Sequence, residues 1–255
     1  AGRLLDRKEP LKALEYLNRV ASEPEDLQLW HILMADAHFQ LGNNEKAVNC
    51  LKEILKQKRL DPMVRMNLGF IYYREGRLED ALEQYETVLR SEPYNDKALR
   101  ILGYIYEKLG NPGQAKYYYK RLLKVTPGDL PSIVNLGLIE RNEGRPAEAE
   151  RYYLRALEVD GTYLPANFNL AELLVETGRR ARAEKHYLVI LESHPQDMET
   201  HLALGLLYLE DSLRHAEALE HFRIVAGLSP QRAASIEERY IRPLEAELAR
   251  SAGVP

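Results

Sequence analysis

Several residue types that would announce a chemistry are scarce or missing. The chain has one cysteine, Cys50, which rules out an intramolecular disulfide and leaves the redox compartment unmarked. It has no run of about 18 apolar residues, so no membrane span is expected. No basic and apolar secretory leader stands at its start, and cytoplasmic and periplasmic locations both stay open. Charge of one sign is lacking too: 35 Lys and Arg face 39 Asp and Glu, and a net charge of −4 argues against a general nucleic-acid binder. The seven histidines include no H-E-x-x-H, and His215 and His221 are spaced so that they share no helical face. The Gly-Asn-Pro-Gly at 110–113 is followed by no Lys-Ser/Thr and so is not a phosphate loop. Neither a cofactor, a metal site nor a catalytic group is expected.

What is present is a repeat. In the stretch from Pro62 to Asn95, Leu68-Gly69, Gly76 and Ala81 each return at intervals of 34 residues. Leu68-Gly69 recurs as Leu102-Gly103, Leu136-Gly137, Leu170-Ala171 and Leu204-Gly205. Gly76 recurs as Gly110, Gly144 and Gly178, with Gly42 upstream. Ala81 recurs as Ala115, Ala149 and Ala183, with Ala47 upstream. A period of this length means a stacked helical array.

One copy shows why it folds. Arg65, Leu68, Gly69 and Tyr72 fall on one face of a helix, and Gly76 follows where a left-handed cap must end it. Ala81, Tyr85 and Val88 line one face of a second helix, which Pro93 stops. Gly69 and Ala81 let the two backbones approach. A lone hairpin cannot bury both stripes, so neighbours must stack.

The pattern resembles the tetratricopeptide repeat, whose signature runs W-x2-L-G-x2-Y, then A-x3-F, then P. The Trp slot is degenerate here, holding His31, Arg65, Leu99, Ile133, Asn167 and His201. The Phe slot holds Leu51, Tyr85, Tyr119, Tyr153, Tyr187 and, one residue late, Phe222. The resemblance implies an all-α, right-handed superhelical solenoid of antiparallel helix pairs. Residues 1–27 read as an incomplete first repeat, with its leading helix missing or reduced to Leu4-Leu5, as if the chain were cut from a longer protein. Six repeats follow, at 28–61, 62–95, 96–129, 130–163, 164–197 and 198–231. A capping helix and tail are expected over 232–255, the tail frayed from Ala249 to Pro255.

Local irregularities carry their own expectations. Pro62 reads as a stop proline arriving late, so the second helix of the first full repeat is expected to be longer by about a turn. Gly161 in place of a stop proline predicts a looser joint. Ser235 and Glu238 read as a capping box, and Pro243 predicts a kink or break. His31 and His38 share a face and occupy core slots, which predicts packed histidines.

The resemblance also implies that first helices line a concave groove for peptides or folded partners. On the stripe opposite the core slots, the early repeats place Leu29, Ile32 and Phe39, then Met63, Met66, Phe70 and Tyr73. The third full repeat places Lys97, Arg100, Tyr104 and Lys108. Leu138, Arg141 and Phe168 follow. Asn67, Asn135 and Asn169 hold the slot in which asparagines of O-linked N-acetylglucosamine transferases grip a peptide backbone, but Ile101 and Ala203 break the series. The carboxylate clamp for acidic chaperone tails is absent, because its Lys and Asn positions are not filled.

Residues 96–129 carry seven basic and three acidic side chains and form a basic band between acidic neighbours. Its tract Lys116-Tyr117-Tyr118-Tyr119-Lys120-Arg121 has the look of a base-stacking platform, yet Tyr119 is a core residue, so an acidic protein segment is the better-matched ligand. The expected function is a non-enzymatic scaffold binding a polypeptide segment with apolar anchors and acidic residues. The alternative is a repeat arm of a larger enzyme or of a secretion or assembly machine. Self-association through the amino-terminal edge is a further expectation.

Overall fold

The computed structural model describes residues 1–20 and 27–251, and no strand occurs among them. It divides into two units, Ala1–Pro127 and Gly128–Pro255. The first holds α1 (Gly2–Asp6), α2 (Pro10–Arg19), α3 (Leu27–Gln40), α4 (Asn44–Gln57), α5 (Pro62–Arg74), α6 (Leu78–Ser91), α7 (Asp96–Lys108) and α8 (Pro112–Val125). The second holds α9 (Leu130–Asn142), α10 (Pro146–Val159), α11 (Leu164–Glu176), α12 (Arg180–Ser193), α13 (Met198–Leu209), α14 (His215–Leu228), α15 (Pro230–Ile236) and α16 (Arg242–Ser251).

Local chemistry sets the helix ends. Asp61, Asn95, Asp129 and Asp197 stand just before first helices, and each side chain accepts the backbone N–H three residues on. Gly42, Gly76, Gly110, Gly144 and Gly178 all sit at φ between +68° and +76°, as the cap reading requires. Several pairs then close on a large side chain. The Tyr119 ring lies over Gly103 and the Tyr153 ring over Gly137, where an added Cβ would come within 2.5 and 2.4 Å of the ring. At Gly69 the same contact with Tyr85 is looser, at 3.0 Å.

In the first unit α3 pairs with α4, α5 with α6 and α7 with α8, and α4 and α6 also pack on the hairpins that follow them. Leu51, Leu68, Tyr85, Leu99, Leu102 and Leu122 are buried in its core. In the second unit α9/α10, α11/α12 and α13/α14 pair in the same way. The segment after α14 folds back on it, with Tyr240 stacked on Phe222 at 4.4 Å.

Several sequence readings need correction. α4 is no longer than α6, both having 14 residues. Pro62 opens α5 as its first helical residue, where its missing N–H costs nothing, so it is a start signal. The joint at Gly161 is tied: Asp160 accepts from the Thr162 N–H and hydroxyl, and Asn167 donates to the Gly161 carbonyl.

Ser235 lies inside α15 and caps nothing, because Pro230 starts that helix earlier. At Pro243 the expected interruption takes the form of a π-turn over Glu237–Ile241, after which α16 runs from Arg242 with Pro243 as its second residue. Ala249 to Ser251 are helical, the rest of the expected frayed tail lying outside the described residues, as do residues 21–26 of the incomplete first repeat. Its leading helix is the short α1, which buries Leu5.

Candidate functional site

In the first unit, the stripe opposite the core is the open face of α3, α5 and α7. Leu29, Met63, Phe70, Lys97, Tyr104 and Lys108 are exposed, while Ile32, Phe39, Met66, Tyr73 and Arg100 are half-buried. Two concavities flank α5. The first, of about 360 Å³, lies between α3 and α5 and is lined by Ile32, Ala35, Asp36, Phe39, Leu51, Asn67, Phe70 and Ile71. The second, of about 450 Å³, runs from α5 toward α7 and is lined by Met63, Met66, Asn67, Phe70, Tyr85, Glu92, Asn95, Lys97 and Ile101, with Pro62 at its edge. Asn67 and Phe70 belong to both, as a shared wall.

Aromatic side chains bridge neighbouring first helices on this face. Phe39 meets Phe70 edge-on at 5.5 Å, and Tyr73 meets Tyr104 at 6.0 Å. The Lys108 ammonium sits 5.0 Å from the Tyr104 ring, and the Arg74 guanidinium 6.0 Å from that of Phe70. Burial, together with a hydrogen bond to Tyr104, pushes the Tyr73 hydroxyl above its ordinary pKa. Arg100 lies 3.8 Å from Asp96 one turn before it.

The matching stripe of the second unit is built differently. Arg141 donates to Glu172 at 2.9 Å and to Glu176, and is half-buried between them. Asn169 donates to the carbonyl of Pro165 in its own helix at 2.6 Å, and Phe168 packs edge-on against Tyr187 at 5.7 Å. Asn135 and Leu138 are set among these helices, Asn135 half-buried. The polar candidates Arg141 and Asn169 are therefore engaged internally. Arg141 and Glu172 stand 31 residues apart, the spacing of Phe39 to Phe70 and of Tyr73 to Tyr104. One structural contact is thus aromatic twice in the first unit and ionic between α9 and α11 in the second.

The basic band divides between two faces. Lys97, Arg100 and Lys108 belong to α7, whereas the tyrosine tract belongs to α8 and is largely consumed by the fold. Tyr118 stacks on Tyr106 at 5.4 Å, and Glu86 accepts from both hydroxyls. Arg121 donates to the Pro93 carbonyl at 2.7 Å. Only Tyr117 of that triplet is exposed.

Ala35, Leu51, Ile71, Tyr85, Glu92, Asn95 and Ile101 line the concavities but were not among the sequence candidates. Ile101 was legible in principle, since it fills the slot that Asn67 holds one period earlier. Glu92 and Asn95 lie in the turn before α7, a region that a helix-face reading does not reach.

Degenerate Trp slots prove to be one end of a polar bridge across several hairpins. Arg65 reaches Gln84 at 2.6 Å, Asn167 meets His186 at 2.9 Å, and His201 meets His221 at 2.8 Å. His31 and His38 are half-buried, each with a buried, unpartnered Nδ1. Among the described residues no three His, Cys, Asp or Glu side chains gather as a metal site. None of the helices they form is long and apolar enough to cross a membrane.

Antiparallel hairpins with a repeating glycine–tyrosine crossing define an α-helical repeat protein. Residues 32–96, 71–129 and 102–165 match one tetratricopeptide repeat family and 141–207 another. The chain belongs to the tetratricopeptide repeat family. No curated protein matches it in sequence. Among solved structures, it is similar to the C-terminal part of a TPR repeat-containing protein from Cytophaga hutchinsonii, at 15% identity and TM-score 0.74, over 92% of this chain and 96% of that one. The protein MamA matches at 22% identity and TM-score 0.59, over 68% of this chain and 94% of its own. YrrB, described as a TPR protein with an unusual peptide-binding site, matches at 20% and 0.58, over 72% and 94%. At these identities the likeness is one of fold.

Proposed function

We propose that the protein is a non-enzymatic scaffold that binds a polypeptide segment along the face formed by α3, α5 and α7. The observation that carries this reading is Phe70, a large apolar side chain that is 42% exposed and forms the wall between two concavities. Methionines 63 and 66 extend the same surface, and their flexible thioethers adapt to irregular ligand shapes. An apolar stripe of this kind, rimmed by charged residues, marks an interaction surface. YrrB, of the same fold, is described as carrying a peptide-binding site, so the fold admits such a ligand.

A peptide-display selection against the wild-type chain, followed by binding measurements on the Phe70→Ala and Met66→Ala variants, tests the reading. Selected peptides should bind both variants more weakly, while the melting temperatures stay close to wild type. Peptides that bind all three proteins equally would place the site elsewhere.

A further inference from the structure

Granted a polypeptide ligand on the face of α3, α5 and α7, on which the inference rests, the two concavities also constrain that ligand's chemistry. They lie on opposite sides of one helix and differ in polarity. The first opens beside the carboxylate of Asp36, which also accepts from the Gln40 amide at 3.2 Å. The second opens beside the ammonium of Lys97. Its one acidic lining residue, Glu92, accepts from the Asn95 amide at 2.7 Å, and Asp96 nearby faces Arg100. One turn and three turns further along α7, Arg100 and Lys108 add positive charge on the same face. The groove thus runs from a negative end at α3 to a positive end at α7.

We infer that the ligand is an extended segment with two large apolar side chains three residues apart, seated on either side of Phe70, and with an acidic residue flanking the anchor in the Lys97 concavity. The spacing follows from the helix between the seats. Packed helices stand about 8–10 Å apart, so two seats on either side of α5 are separated by about that distance. A polyproline II segment rises about 3.1 Å per residue with three residues per turn, which puts positions i and i+3 on one side about 9 Å apart. A β-strand returns to the same side after about 6.6 Å or 13 Å and straddles the ridge less well.

A helical ligand would reach the span only at i and i+7, about 10.5 Å. Its backbone groups would already be paired and could use nothing from Asn67. In an extended segment the backbone crossing the ridge still has donors and acceptors to satisfy, and the amide of Asn67 stands on that ridge. The charge gradient sets which end of the segment lies where. Like charges brought together by the opposite orientation would oppose binding, so the gradient acts on direction more than on total affinity.

The experiment is the same display selection, read for motif, followed by a charge swap measured by fluorescence anisotropy on the full chain. The selected peptides should converge on two apolar residues at i and i+3, with Asp or Glu beside one of them. Lys97→Glu should weaken those peptides about tenfold, and replacing their acidic residue by Lys should recover most of the loss. Lys97 lies at the groove surface, so the thermal melt of this variant should match wild type and separate binding from folding. Anchors at i, i+2 or i, i+7, or affinities unmoved by the swap, would overturn the inference while leaving the groove reading in place. A selection that yields no peptide sensitive to Phe70→Ala would overturn both.

Discussion

Phe39 and Phe70, Tyr73 and Tyr104, and Arg141 and Glu172 occupy one and the same contact between successive first helices. In the first unit the contact is a pair of rings, and between α9 and α11 of the second it is an ion pair. Two rings meeting edge-on leave their remaining apolar surface beside solvent, where a ligand's apolar groups can displace the water. An ion pair consumes the groups that would have recognised a ligand and presents little apolar area. The scaffold is the same in both units, with the same glycine caps and ring-on-glycine crossings. The difference in what the exposed face can do therefore arises at a few positions that the fold tolerates equally well either way.

The sharpest way to break this comparison is at Phe70. Phe70→Ala should cost about 2 kcal/mol or more in binding, because a central aromatic anchor carries a large share of the interaction. It should cost less in stability, and isothermal titration alongside a thermal melt would show the two apart. Phe168→Ala in the second unit should behave the opposite way, lowering the melting temperature through its lost contact with Tyr187 and leaving ligand affinity alone.

Next in size are the features the two units share. Gly110→Val and Gly144→Val each force a β-branched residue to positive φ, near +68° and +73°, at a cost of about 1–2 kcal/mol. Equal losses in urea unfolding would confirm that the scaffold is one scaffold. A clear difference would mean that one cap is dispensable.

A smaller effect is expected from converting one kind of contact into the other. The double variant Tyr73→Arg, Tyr104→Glu writes the ion pair of the second unit into the first. Peptide affinity should fall about tenfold, or about 1.4 kcal/mol, while stability changes by less than about 1 kcal/mol because such pairs contribute little near solvent. Unchanged affinity would show that these rings are not part of the recognition surface.

The smallest effect concerns pH. In the second unit burial lowers the pKa values of His186 and His221, the latter also through His201. The unfolded chain therefore binds more protons than the folded one near neutrality. Their contribution to stability is complete above about pH 6.5 and is lost as the pH falls through the lowered folded values. The carboxylates of Glu184 and Glu217, lowered by Arg214, add a further loss at more acidic pH. Melting temperatures measured from pH 8 to pH 5 should fall, and His221→Gln should flatten the upper part of that slope.

Much of the fold was legible because its signals are local. Gly76 and its counterparts announced left-handed caps, and Gly69 with Ala81 announced a close crossing, although it is the Tyr85 ring that meets Gly69. The Asp and Asn caps before first helices emerged only from the structure, although the signal is as local. Pro62 was misread because proline both ends one helix and begins the next, and only the observed start of α5 distinguishes these roles. Pro243 announced an irregularity but not its form, a π-turn whose Tyr240 is stacked on Phe222 from another helix. The candidate stripe was legible as a face, whereas its division into two concavities sharing Asn67 and Phe70 was not.

By itself, the sequence determined the period, the helical hairpins, the crossing glycines and the apolar stripe on first helices. Each of these depends on residues within a few turns of one another, where backbone geometry leaves little choice. Only the tertiary structure decided which stripe residues meet across hairpins, that Arg141 is held by Glu172 and Glu176, and that Lys97 and Phe70 line one concavity. Those outcomes depend on how neighbouring hairpins pack, and packing is set by the side chains of several helices acting together.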